Sequence, residues 1–357
     1  MSSTDSTTSE LDDAVTERSD GGRAACRARE AAPSGRAFSG RDMTRLDFTG
    51  ADLTGVDFSE RDLRGAVFDT TVLVGANFAG ATLSDAVLRN SQLGEARFVR
   101  AVLDGVSLEA CDLRRAVLRR ASLADARIAE SELEGADFSG ATFDGVSIEG
   151  CNLRGVWLVL AAMGRVQIVG SNLEGANLSG ARLDDVKLQG VGLVRATAPE
   201  VVVHQSAFDA VDGVLADFSL SRFHAVVLRG CGLDRACFRE ARLEGVQADR
   251  ASLEFADFQR AVLIDTSFVR ARLIGADLRH AQVERTTFDG ADLSLSRRDD
   301  WQARQCSADQ AIFPLRVALS AQPSGASLPE VIDQPLARSP SPDAERRRWR
   351  SMCDLPA

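Results

Sequence analysis

Ala51-Asp-Leu-Thr-Gly-Val-Asp-Phe-Ser-Glu60 is two copies of one five-residue unit, and most of the chain is built from that unit. Its third residue is large and apolar, its first is small, and the rest are polar or glycine. Counted outward from Leu53 and Phe58, the register runs from Phe38 to Leu293. Every fifth residue there is large and apolar at 49 of 52 positions, the exceptions being Ala198, Gly213 and Ala248. The residue two before each of these centres is Ala, Val, Ser, Thr or Cys at 48 of the 52. A fixed period of this kind decides the fold before local propensity does.

A period of five fits neither a helix, which repeats its face every 3.6 residues, nor a strand, which repeats every 2. Two inward residues followed by three outward ones suit a short extended segment and a corner. Four such segments close a square coil of 20 residues whose Leu and Phe fill the axis. Coils stack at strand spacing, ~4.8 Å, so residues 36–295 predict about 13 coils and a rod roughly 60 Å long. Each buried Leu or Phe contributes ~1.5–3 kcal/mol, and stability comes from coil stacked on coil.

These residues resemble the pentapeptide-repeat family, whose motif is A(D/N)LXX. The Asp/Asn of that motif recurs one residue before the centre, for example at Asp47, Asp52, Asp57, Asp62, Asn77, Asp112, Asp137, Asn152, Asn172 and Asn177. Such short side chains hydrogen-bond nearby backbone at a corner. The resemblance implies an all-β fold, a right-handed quadrilateral β-helix, with the handedness carried over from the family. Composition agrees with a dry axis: 17 Phe and no Tyr, since an unpaired buried hydroxyl costs ~1–3 kcal/mol.

Cys111, Cys151 and Cys231 fall on the small inward position of one side of the square, two and four coils apart, which is too far to bridge. They read as core filler in a reducing compartment. No CxxC pair exists to build a thiolate zinc site. The chain is expected to be cytoplasmic, because residues 1–35 hold no apolar run of signal-peptide type and no stretch is long enough to cross a membrane.

Residues 1–35 read as a disordered or partly helical tail. Arg36, Arg41 and Arg61 stand at inward positions where a guanidinium is costly, so the first coil and a half are expected to be irregular. Residues 296–322, with Trp301, Ile312 and Phe313 taken as out of register, predict a short helix and a segment capping the last coil's edge. Residues 323–357 read as a flexible tail ending in a small basic run. Between Ala196 and Ala216 the centres weaken to Ala198, Val203, Phe208 and Gly213, and Pro199 intervenes. A distorted coil or an extruded loop is expected there.

Chemistry has few footholds. Three His, no glycine-rich phosphate loop and no GxSxG argue against an enzyme, and no cofactor is implied. Asp184, His204, His224 and Glu244 are spaced by 20 and should stack on one wall. They are a weak metal candidate, against which stands accidental stacking of surface residues. A second feature is the stretch Val156-Trp-Leu-Val-Leu-Ala-Ala-Met-Gly164. Its outward slots hold Trp157, Val159, Leu160 and Ala162, where other coils carry Asp, Ser and Gly. On the same side lie Arg97, Arg100, Arg119 and Arg120. Trp and Arg are enriched where proteins meet, so these seven residues, Ala162 aside, are the partner-binding candidates. The competing reading covers Trp157 with a tail of this chain.

The expected function is a non-enzymatic scaffold or adaptor that binds a protein. By resemblance there are two alternatives. One is a DNA-mimicking protector of type II topoisomerase, serving quinolone resistance or toxin self-immunity. The other is an accessory protein of a secretion system. The partner would then be DNA gyrase or a secretion component, with neither nucleic acid nor membrane bound directly; some members of the family form homodimers. The repeat region carries 37 acidic and 29 basic residues, a net of −8. A duplex of that length presents roughly 35 charges, and the Arg group interrupts the acidic surface, so DNA mimicry is the weaker reading.

Overall fold

The computed structural model describes residues 42–313. Residue i pairs in parallel with residue i+20 on each of four sides. Asp47↔Val67, Asp52↔Val72, Asp57↔Asn77 and Asp62↔Thr82 begin the four ladders. We number the walls from residues 46–50, 51–55, 56–60 and 61–65, with every later segment falling on one of them. On the first and fourth walls three-residue strands join into two nine-stranded parallel sheets. They run from Val67–Asp69 to Val227–Arg229 and from Thr142–Asp144 to Gln302–Arg304. The second and third walls are ladders of single bridges.

The centres fill the axis as the period requires. Phe48 and Phe68, one rung apart, stack with centroids 4.8 Å apart, and Phe78 and Phe98 with 4.7 Å. Twelve Phe side chains are essentially fully buried. The Asp before the centre works as expected: Thr54 N–H donates to Asp52 Oδ1 at 3.1 Å and Ser139 N–H to Asp137 Oδ1 at 2.9 Å. At the corner itself the last residue of each unit takes a positive φ, from about 47° at Gln205 to 73° at Gly145. Glycine occupies many of these corners because it adopts that region without cost.

Two kinds of corner occur, and their chemistry differs. After a bridge-type segment the next small residue donates its N–H back to the centre, as in Ala51 N–H to the Phe48 carbonyl at 3.0 Å. After a three-residue strand that turn bond is missing. There the small residue is Ser, Thr, Cys or Val at every strand described, and never Ala. The polar ones reach instead to the centre carbonyl one rung back. Thr71 Oγ1 donates to the Phe48 carbonyl at 2.9 Å and Ser91 Oγ to the Phe68 carbonyl at 2.8 Å. Cys111, Cys151 and Cys231 belong to this same column, with Cys111 Sγ 3.2 Å from the Leu88 carbonyl. Burial pushes the Cys111 and Cys231 thiols up to about 11 and raises Cys151 in the same direction.

Three expectations are corrected. The coil at 196–216 is regular: Val202–His204 and Ala207–Asp209 are paired strands on both sides. Backbone bonds outweigh the small centres there, with Ala198 N–H on the Asp217 carbonyl and Gly213 N–H on the Gly232 carbonyl, each 2.7 Å. Leu233 leans into the space a Gly213 side chain would take. Pro199 sits at the first corner position, where a fixed φ is favoured. Arg61 does not disrupt its coil either: its N–H reaches the Phe58 carbonyl at 3.2 Å and Asp62 pairs with Thr82. Finally, no helix caps the rod over the described part of 296–322. Gln302–Arg304 pairs with Gln282–Glu284, and Asp292 pairs with Ile312, so the coil continues to Phe313 in register. Arg298 takes a centre position at this end, its guanidinium 4.7 Å from the Phe313 ring centroid and 5.6 Å from that of Trp301. The tails read at 1–35 and 323–357, with Arg36 and Arg41, lie outside the described residues.

Candidate functional site

The third wall carries the predicted docking residues in one column system. Arg97 pairs with Val117, Val117 with Asp137, Asp137 with Trp157 and Trp157 with Asn177. Arg119 and Arg120 are therefore two rungs from Trp157, as the spacing of 20 requires. Trp157 is 50 % exposed and Leu160 68 %, while Val159 is half-buried. Leu160 is a corner residue with φ 56°, and its side chain lies over Gly180 on the next rung. Every corner of the coil shares this backbone conformation, so it is the apolar side chain and not the φ that sets Leu160 apart. The four Arg are exposed, but Arg119 is not free: it forms an ion pair with Asp137, between the Arg group and Trp157. Beside Trp157, at the edge shared with the second wall, three glycine corners, Gly135, Gly155 and Gly175, leave a shallow trough flanked by Glu134, Arg154 and Glu174.

Apolar exposure is not confined to 156–164, which sequence reasoning missed. Leu215, Phe255 and Leu295 stand two rungs apart on the edge between the second and third walls, and Phe255 lies over Gly275. Leu220 is half exposed on the same edge as Leu160. The signal was available: all are corner positions, where the chain otherwise uses glycine, alanine or polar residues.

The His ladder forms but does not converge. His204 aligns with Asp184 on one side and His224 on the other, and His224 with Glu244. The two imidazoles lie flat on each other, centroids 5.2 Å apart and planes 6° apart. His204 Nδ1 is 2.8 Å from Asp184 Oδ1, and Glu244 turns to Arg242 at 3.1 Å. Side chains stacked on a parallel wall point the same way, so they cannot surround an ion. Among the described residues no group of three or more His, Cys, Asp or Glu is placed to hold a metal. Also among them, no helix is long and apolar enough to cross a membrane.

The comparisons with known proteins agree with the coil. A sequence profile described as Pentapeptide repeat region matches residues 41–118, and one described as Pentapeptide repeats (8 copies) matches 121–156, 165–197 and 256–294. Together they cover just over half of the chain. No curated protein matches it. Similar solved structures include QnrB1, a plasmid-mediated fluoroquinolone resistance protein, at 23 % identity. That match covers 57 % of this chain and 89 % of QnrB1, with a TM-score of 0.34. Another is HetL from the cyanobacterium Nostoc sp. strain PCC 7120, a pentapeptide repeat protein involved in heterocyst differentiation regulation, at 22 % identity. It covers 75 % of this chain and 91 % of HetL, with a TM-score of 0.19. At these values the likenesses bear on neither partner nor role.

Proposed function

Since this chain belongs to the pentapeptide-repeat family, we propose that it is a non-enzymatic scaffold whose third wall docks a protein partner around Trp157. The observation that carries this reading is Trp157 half exposed beside Leu160, on a ladder otherwise made of Asp, Asn, Arg, Thr, Val and Cys. Leaving an indole in water forfeits burial worth ~25 cal/mol per Å². Neither side chain reaches the core, so packing gives no reason for a large apolar group at either position. Exposed Arg97, Arg100 and Arg120 two and three rungs away favour a partner segment with acidic residues beside an apolar anchor.

The test is affinity capture with wild-type protein and with Trp157→Ala, scoring DNA gyrase alongside every other captured protein. The reading requires one protein enriched by wild type and lost by the variant, with the melting temperature unchanged. If Trp157→Ala melts well below wild type, the indole is part of this chain's own packing and the docking reading fails.

A further inference from the structure

The fourth wall carries an open groove of about 390 Å³ over the rungs of Leu183, Val203 and Phe223, whose buried side chains fill the axis beneath it; the volume admits a small molecule. One bank is the column Arg182, Val202, Arg222, Arg242, joined rung to rung; the other holds the His204–His224 stack. The two carboxylates of the lining are occupied, Asp184 with His204 and Glu244 with Arg242. Arg182 and Arg222 are exposed, and neither makes an ion pair among the described residues. Val202 is short, so these two guanidinium arms flank a gap two rungs wide, about 10 Å at strand spacing. His204 stands across the floor from that gap. With Nδ1 turned to Asp184, its Nε2 is the nitrogen left for a ligand.

We propose that this gap binds the phosphate group of a small soluble molecule, clamped between Arg182 and Arg222 and backed by the two imidazoles. The planar fork of a guanidinium matches phosphate oxygens two at a time, and two arms closing on one group suit a dianion. The groove carries three guanidinium groups against two carboxylates, on a chain whose net charge is −10. Asp185 and Glu200 on the flanking corners oppose an anion and hold the affinity down. The site is on a different wall from Trp157 and does not rest on the docking reading.

The three His of the chain supply the test, because His280 lies on a third-wall corner near Asp300 (3.8 Å) and serves as an internal reference. Imidazole Cε1–H signals are followed as inorganic phosphate replaces chloride at constant pH and ionic strength. The His204 and His224 signals should move and saturate while His280 stays still. Arg222→Gln and Val202→Glu should each weaken the apparent Kd at least tenfold, and Arg115→Gln, at an exposed second-wall corner, should leave it unchanged, all with wild-type melting. Glycerol 3-phosphate should compete with phosphate. Unsaturating shifts, parallel movement of His280, or unchanged affinity in Arg222→Gln would overturn the proposal. So would binding to phosphatidate vesicles that glycerol 3-phosphate does not displace, which would make the ligand a lipid surface.

Discussion

The backbone N–H of Cys111 donates to the Ser131 hydroxyl one rung away at 3.1 Å, and the Cys111 thiol reaches back to the Leu88 carbonyl at 3.2 Å. The same relay joins Cys151 to Ser171. It occurs where a three-residue strand has removed the turn bond that other corners use. The thiols are therefore structural donors in the wall.

Ser131→Ala should cost about 1–3 kcal/mol, because it leaves the buried Cys111 N–H without a partner. Cys111→Ser should be near neutral, since a hydroxyl keeps both bonds. Urea unfolding of the two variants checks this. Equal losses from both would remove the relay from the account.

Thiol reactivity follows from the same burial. At pH 8 the Cys111 and Cys231 thiols, pushed up to about 11, should resist a disulfide reagent in the folded protein and react fully in denaturant. Rapid reaction of these two sites in native protein would contradict their placement.

Several carboxylates are held below their ordinary value of 3.8. The Thr54 hydroxyl and N–H do this to Asp52, the Arg114 guanidinium to Asp112, and the Arg285 guanidinium to Asp265. A depressed folded value contributes stability above the unfolded value, and that stability is lost as pH falls through the folded one. The melting temperature should thus be flat from pH 7 to about 5 in this respect and fall below about pH 4. These groups are largely exposed, so the loss at each is small, and high salt should shrink the ion-paired part. A melting temperature that rises on acidification below pH 4 would refute the assignment.

Leu178 is a buried third-wall centre in the middle of the rod. Leu178→Asp places a charge in the axis without a partner, at a cost of several kcal/mol, and should unfold the surrounding coils. A melting temperature within a few degrees of wild type would contradict the inward placement.

The square coil was legible because one large side chain in five must fill the axis, a period that neither a helix nor a strand shows. Legibility failed where backbone and side chain disagree. At Arg298, Ala303 and Ala308 the centres are no longer Leu or Phe, yet the ladder continues through Gln302–Arg304 to Phe313. Ala198 and Gly213 likewise weakened the pattern without weakening the backbone bonds. Which walls become strands was also readable, since the next small residue changes from mostly Ala to Ser, Thr, Cys or Val, but only once the corner chemistry is known. For the candidate site, the spacing put Trp157 and the Arg group on one wall. It did not reveal that Arg119 is tied to Asp137, because that depends on side-chain reach.

Site-specific photocrosslinking in producing cells from a benzophenone side chain at position 160, with position 149 on the first wall as control, tests the docking wall most directly. The account predicts one discrete adduct with another protein from position 160, reduced by Trp157→Ala, and none from position 149. No adduct from 160, or an adduct confined to this chain's own residues, would contradict it.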